Sequence, residues 1–260
     1  MKKKRGVFME KIYLIGDVHG STKPFKKLSH ITNHEPATVI CLGDFGANYF
    51  LDVKDKKFKR KLGYYNLTYF AIRGNHEERP SLCAERHPAD WHIEIFWDNT
   101  VYVENEFPYI KYALDHPAKY QIPATDGVLD TLVLPGAYSV DKYWRLAGHG
   151  MWFEHEQLTK EEMDAGTSLA ESQDWNLVLS HTCPFLFMPT DLFLPQINQT
   201  LVDNTMEHWL GHIEYSIQYE TWFWGHFHAL RIYSFINNRT QFMLNDEYVY
   251  DLYEEAIITL

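Results

Sequence analysis

Six short apolar runs, several of them closing on Gly beside Asp or His, constrain this chain more than any other feature. They are KIYLIGD at 11–17, TVICLGD at 38–44, LTYFAIRG at 67–74, TLVLPG at 131–136, NLVLSH at 176–181 and TWFWGHFH at 221–228. Rich in β-branched and aromatic residues and too short for buried helices, they read as core strands. The absence of polar alternation implies strands covered on both faces. RIYSF at 231–235 and QFMLNDEYVYDLY at 241–253 predict further strand pairing.

Helices are expected between the strands. One runs from Pro24 to Ile31, opened by Ser21 or Thr22. Thr159 and Glu162 form a capping box that starts a second, to about Ser172. Val202, Met206, Trp209, Leu210, Ile213 and Ile217 fall on one stripe of a third, over about 200–219. The segment 77–130, rich in aromatic residues, Pro and His, predicts irregular structure near the site. Strands alternating with helices give an α/β (α+β) protein, two sheets with helices outside.

Nothing marks a linker or repeat in the 260 residues, so a single domain over 1–260 is expected, with 1–8 a loose tail and Met9 an alternative start. No apolar run approaches the roughly 20 residues a membrane span needs. Three cysteines without C-x-x-C spacing point to a reducing, cytoplasmic setting. The net charge of −11 argues against long nucleic acid as partner, which asks for clustered Lys and Arg.

The polar residues at the strand ends form one chemical set. Asp17 and His19 sit in GDVHG, Asp44 in GDFG, Asn75 and His76 in GNHE, His181 at a strand end, His226 and His228 in GHFH. Carboxyl ends of strands are where open α/β sheets place ligands. Two carboxylates, four imidazoles (His19, His181, His226, His228) and the Asn75 amide suffice for two divalent ions. Mixed N and O ligation suits Mn, Fe or Zn better than Mg or Ca. A carboxylate such as Asp44 is able to bridge the pair. Two such ions bring +4 against −2 from Asp17 and Asp44, which makes room for an anionic substrate in an acidic protein.

In order and kind, GDVHG, GDFG, GNHE, His181 and GHFH resemble the calcineurin-like metallophosphoesterases, across residues 16–228. The resemblance implies a four-layer α-β-β-α sandwich. It implies one ion held by Asp17, His19, Asp44 and His228, and another by Asp44, Asn75, His181 and His226. It further implies attack on a phosphate ester by a metal-bridging hydroxide. His76, not a ligand, would approach the leaving-group oxygen as general acid or stabiliser of charge.

One departure matters. Many relatives read GDxxDRG at the second block, whereas here Ala47 and Asn48 stand for the second Asp and the Arg. The usual partner of His76 and the usual phosphate grip are therefore missing, which argues against a standard protein Ser/Thr phosphatase. Asn48 retains one hydrogen bond for substrate. In GAYSVDKYWRL, 136–146, Tyr138, Asp141, Lys142 and Arg145 are candidate pocket residues, and Arg145 or Lys142 a candidate replacement for the missing Arg.

Other features have plainer readings. His208 and His212 are four apart on the third helix, but Trp209 occupies the Glu position of H-E-x-x-H and both face away from the apolar stripe; they read as surface residues. Trp91, Trp97, Trp144 and Trp152 read as a minor core under loops rather than base-stacking platforms. Three functions stay open: a phosphodiesterase, a phosphomonoesterase on a small or peptidic ester, including a Ser/Thr-phosphatase-like one, and a non-enzymatic metal-containing binding or scaffold protein. Oligomeric state is not legible.

Overall fold

The computed structural model describes residues 10–260, so the expectations for residues 1–8 and Met9 lie outside the described residues. In chain order the strands and helices are β1 (Lys11–Ile15), α1 (Lys23–Ile31), β2 (Ala37–Leu42), α2 (Val53–Leu62), β3 (Leu67–Ile72), α3 (Pro80–Arg86), β4 (Trp91–Phe96), β5 (Asn99–Glu104), β6 (Ile110–Tyr112), β7 (Ala118–Ala124) and β8 (Gly127–Leu134). There follow α4 (Lys142–Trp144), α5 (Lys160–Ala170), β9 (Trp175–Ser180), α6 (Thr205–Ser216), β10 (Tyr219–Trp224), β11 (Arg231–Ser234), β12 (Thr240–Met243), β13 (Tyr248–Asp251) and β14 (Ala256–Thr259). An eight-stranded sheet has the order β14-β13-β1-β2-β3-β6-β5-β4, and a six-stranded sheet the order β11-β12-β10-β9-β8-β7. The central strands of each, β1-β2-β3-β6 and β8-β9-β10-β12, run parallel.

The period of two along each strand sorts the apolar residues into layers. From β1, Ile12 and Leu14 face inward with Ile40, Phe70, Tyr120, Leu177 and Phe223. This cluster is the seam between the sheets. Tyr13 and Ile15 face outward, under Phe25 and Leu28 of α1 and Phe58 and Leu62 of α2. On the other sheet, Val178, Trp222 and Trp224 face outward under Ala170 of α5 and Leu210 and Ile213 of α6. Helix, sheet, sheet and helix make the expected four layers.

Local chemistry explains the helices. Pro24 stands in the first turn of α1, where its missing N–H costs nothing. The α5 capping box is complete, Thr159 accepting from the Glu162 N–H and Glu162 from that of Thr159. The third expected helix is shorter than its stripe: α6 starts at Thr205, where the Asp203 carboxylate accepts the Thr205 N–H, and Val202 is extended. Its His208 and His212 are exposed, as their phase required.

The segment 77–130 corrects the sequence reading, since it holds α3 and five strands rather than irregular structure. β4 and β7 are sheet edges. Edge strands tolerate polar residues and Pro123, so their apolar signal is diluted. Trp91 and Trp97 do pack against the sheet cores, whereas Trp144 is exposed and stacks on His149.

The Asp115 carboxylate fastens the start of α3, accepting from the Ser81 N–H at 3.1 Å and hydroxyl at 2.5 Å. Burial alone would raise its pKa, but hydrogen bonds from His116 and Ser81 outweigh it and pull it to about 2. The folded form therefore gains stability above the ordinary carboxylate range and loses it as pH falls towards 2. Asp115→Ala should cost about 1–2 kcal/mol in urea unfolding at pH 7. The gap from the unaltered protein should narrow between about pH 4 and pH 2; a constant gap would show the carboxylate charge to be irrelevant.

Candidate metal centre

Each polar block lies in the loop just after a parallel strand. Asp17 and His19 follow β1, Asp44 follows β2, Asn75 and His76 follow β3, His181 follows β9, and His226 and His228 follow β10. Both sheets thus deliver residues to one edge of the seam. The backbone there is unusual: Asp17, His19, Asp44, His226 and His228 all have φ between 48° and 70°. Left-handed φ outside glycine is uncommon, and five cases in one cluster mark loops shaped to aim side chains. Two glycines permit the close approach. At Gly43, with φ of 87°, a Cβ would overlap the His181 ring, and at Gly74 it would overlap the Asp44 carboxylate.

The donor atoms converge in three overlapping groups, Asp17–His19–His228, His19–Asp44–His76 and Asp17–Asp44–His181, each within 4.8 Å. Asp44 is shared: its oxygens lie 3.7 Å from His19 Nε2, 3.8 Å from His76 Nε2 and 3.5 Å from His181 Nε2. His181 Nε2 is also 2.9 Å from Asn75 Oδ1, and its Nδ1 donates to the Leu42 carbonyl at 2.7 Å. That bond leaves Nε2 as the ligating atom. The His226 ring packs edge-on to His181 with centroids 5.0 Å apart, and His228 stacks on His19 at 4.9 Å.

The electrostatics ask for a cation. Asp17 Oδ2 is buried with no partner among the described residues, while Oδ1 accepts the His226 N–H at 2.7 Å. Burial pushes the Asp17 carboxyl up to about 7, with Asp44 adding its repulsion. Burial also presses on Asp44, but His181, His76 and His19 outweigh it and hold its carboxyl well below the usual range. Burial keeps His226 and His228 below their ordinary pKa, in the neutral state a ligand needs. His181 differs: burial presses its pKa down, but Asp44 and Asp17 outweigh it and raise it to about 9, so an ion there would displace its proton. An orphaned carboxylate oxygen, the neutral imidazoles of His226 and His228 and an amide oxygen facing one another fit two divalent ions.

His76 stands apart. Its backbone N–H donates to Asp44 Oδ1 at 2.9 Å. Its ring meets Arg145, whose Nη2 lies 2.8 Å from Nδ1 and 3.2 Å from Nε2. A guanidinium only donates, so the imidazole must accept and remain uncharged. Burial and then the Arg145 charge, against the pull of Asp44, lower the His76 pKa to about 4. Asp141 accepts from Arg145 Nε at 2.7 Å, while Tyr49 Oη and the Met151 carbonyl accept from Nη1 at 2.9 Å. Arg145 thus comes to the site, but against the histidine. Asn48 does not: it is buried, its Oδ1 accepting from Lys59 Nζ at 3.1 Å. Lys142 lies over the Trp152 ring, 4.3 Å from its centre.

Three supporting residues escaped the sequence reading. Asn75 Nδ2 donates to Ser139 Oγ at 2.9 Å, and the Ser139 hydroxyl and N–H donate to Glu156 at 2.5 and 3.0 Å. The Ser139–Glu156 pair thereby turns the amide oxygen of Asn75 towards His181. Glu77, the last residue of GNHE, accepts N–H groups from Gly46, Ala47 and Gly74. The GNHE block carried a signal for Glu77; Ser139 and Glu156 carried none.

Ser139→Ala should leave the fold intact and weaken one of two metal equivalents by about 10–100-fold in calorimetric titration with Mn. Equal weakening of both, or of neither, would remove Ser139 from this role.

Comparison with known proteins identifies the family. The family model described as calcineurin-like phosphoesterase matches residues 10–230. A search of curated proteins returned no match. Among solved structures, a dimetal phosphatase from Danio rerio is similar with a TM-score of 0.51 and 12% identity, over 94% of this chain and 93% of that one. The phosphopantetheinyl hydrolase from Mycobacterium tuberculosis has a TM-score of 0.49 and 12% identity, over 91% of this chain and 89% of that one. At 12% identity the likeness to the Danio rerio protein is one of fold.

Proposed function

The chain belongs to the calcineurin-like phosphoesterase family and is a metal-dependent phosphoesterase, and from that premise we propose that it hydrolyses phosphodiesters. The observation that carries the reading is a pair of hollows meeting at His76. The larger, about 480 Å³, is bordered by Asp44, Asn75, His226 and His228. The smaller, about 360 Å³, is bordered by His19, Gly46, Tyr49 and Arg145. His76 borders both. A diester carries an organic arm on each side of phosphorus, and a monoester carries one. Because Arg145 is engaged by Asp141, Tyr49, Met151 and His76, the bidentate grip that favours a dianionic monoester is weakened.

Asp17, His19, Asp44 and His228 would hold one ion, and Asp44, Asn75, His181 and His226 the other, with Mn, Fe or Zn suited to these donors. Bound there, the ions supply an activated water and positive charge against the phosphoryl oxygens. Arg145 Nη2 lies nearer to His76 Nδ1, at 2.8 Å, than to Nε2, at 3.2 Å, so Nδ1 would accept from it and Nε2 would keep the proton for the leaving-group oxygen. As a neutral donor it stabilises charge on that oxygen rather than acting as an imidazolium acid. Arg145 is a positioning residue that fixes this tautomer. The free thiols of Cys41, Cys83 and Cys183 support a reducing, cytoplasmic setting. No described helix is long and apolar enough to cross a membrane.

Mn-loaded protein is expected to turn over bis(4-nitrophenyl) phosphate well above 4-nitrophenyl phosphate, and Asp44→Ala to abolish both. The reverse ratio would favour a phosphomonoesterase, and inertness towards every ester a binding or scaffold protein. His76→Ala should keep two metal equivalents and slow turnover by about 10²–10⁴; a lost equivalent would make His76 a ligand. Arg145→Ala should lower kcat about 10–100-fold with KM little changed, since a charge-assisted hydrogen bond is removed from His76. Arg145→Lys should restore less than half of that loss on a logarithmic scale.

A further inference from the structure

The larger hollow is unlike the metal centre it adjoins. Its walls beyond the ligands are apolar and partly aromatic, with Tyr138, Met188, Phe193, Ile197, Val202 and Phe227. No Lys or Arg among the described residues borders it. Besides Asp44, its carboxylates are Asp141, Asp203 and Glu207. Asp141 is paired with Arg145. Glu207 is paired with no cation among the described residues: it is 3% exposed, and one oxygen accepts from Thr182 Oγ1 at 2.6 Å. Its other oxygen, Oε2, is buried with no partner among the described residues.

A buried carboxylate oxygen left unsatisfied is costly and rare unless a ligand or water completes it, and Glu207 borders the hollow. We infer that this hollow receives an arm of the substrate with an apolar, ring-sized body and an ammonium group, the ammonium meeting Glu207 and the body lying against Phe193, Phe227 and Tyr138. A volume of about 480 Å³ lies within the range of small-ligand sites. Aromatic walls favour such a body twice, by burial of its apolar surface and by attraction of the cation to the ring faces. An anionic arm, such as a nucleotide chain or a further phosphate, would meet Asp203 and Glu207 with no opposing cation in the wall.

The assignment rests on the phosphoesterase reading for its biological meaning, but it is tested separately by binding. Three matched phenols serve as probes: 4-(aminomethyl)phenol, 4-methylphenol and 4-hydroxybenzoate. Calorimetry on the full chain, with and without Mn, is expected to rank them amine, neutral, carboxylate. The amine should bind at least about tenfold more tightly than the carboxylate. In Glu207→Gln the ratio of amine to neutral affinity should fall towards one, and circular dichroism establishes that the variant is folded. Mixed diesters of 4-nitrophenol with the same three phenols should show the same order in KM. Equal binding of the three, a reversed order, or no measurable binding of the amine overturns the proposal, as does a ratio unchanged in a folded Glu207→Gln. The expected order of binding with no turnover of any ester would sink the enzymatic reading and leave the hollow as assigned. Diester turnover without the order would do the opposite.

Discussion

One buried carboxylate holds the site in shape. Glu77 accepts the N–H of Gly46 at 2.6 Å and those of Ala47 and Gly74 at 3.3 Å, and so ties the loop after β2 to the loop after β3. Burial and the nearby Asp44 push its carboxyl up to about 7, against the pull of those three donors. The left-handed backbone at five site residues costs of the order of 1–3 kcal/mol each. Such conformations persist only when neighbours over-determine them, and here they do. His19 N–H donates to the Asp44 carbonyl, His76 N–H to the Asp44 side chain and His226 N–H to Asp17. The loops brace one another through these hydrogen bonds.

The acidic protein and its anionic substrate are reconciled at short range. Asp17 and Asp44 are equally buried yet pushed in opposite directions, because three imidazoles face Asp44 while Asp17 has an unpaired oxygen. The same principle distinguishes the two hollows. Arg145 and Lys54, with Asp55, border the smaller one, whereas Asp203 and Glu207 border the larger without a Lys or Arg in its wall among the described residues. Under the diester reading proposed above, the two arms would meet walls of different charge.

What was legible in the sequence follows from where the signal is physically concentrated. Strands buried on both faces are continuous apolar words, and their Gly-flanked ends stand out because only special turns bring Asp17, Asp44 or His226 inward. Edge strands β4 and β7 carry half the burial and none of that contrast, so 77–130 read as irregular. The Lys-rich α2 was passed over because only Phe58 and Leu62 give it an apolar face. Asn48 was placed at the site by its position in a motif, yet the nearby Lys59 draws its side chain away. Ser139 and Glu156 act through Asn75 across more than sixty positions, a relation that no local pattern encodes.

The proposed ligands come from both sheets, Asp17, Asp44 and Asn75 from one and His181, His226 and His228 from the other. The centre is therefore a gauge of how the sheets lie on each other. A slip of one strand residue is about 3.3 Å, as large as the spacings between the donors themselves. Seam residues such as Phe70, Tyr120 and Phe223 lie in the core between the sheets and set that alignment. Wear in the seam would show first as a mistuned grip on metal, while the layers still looked whole.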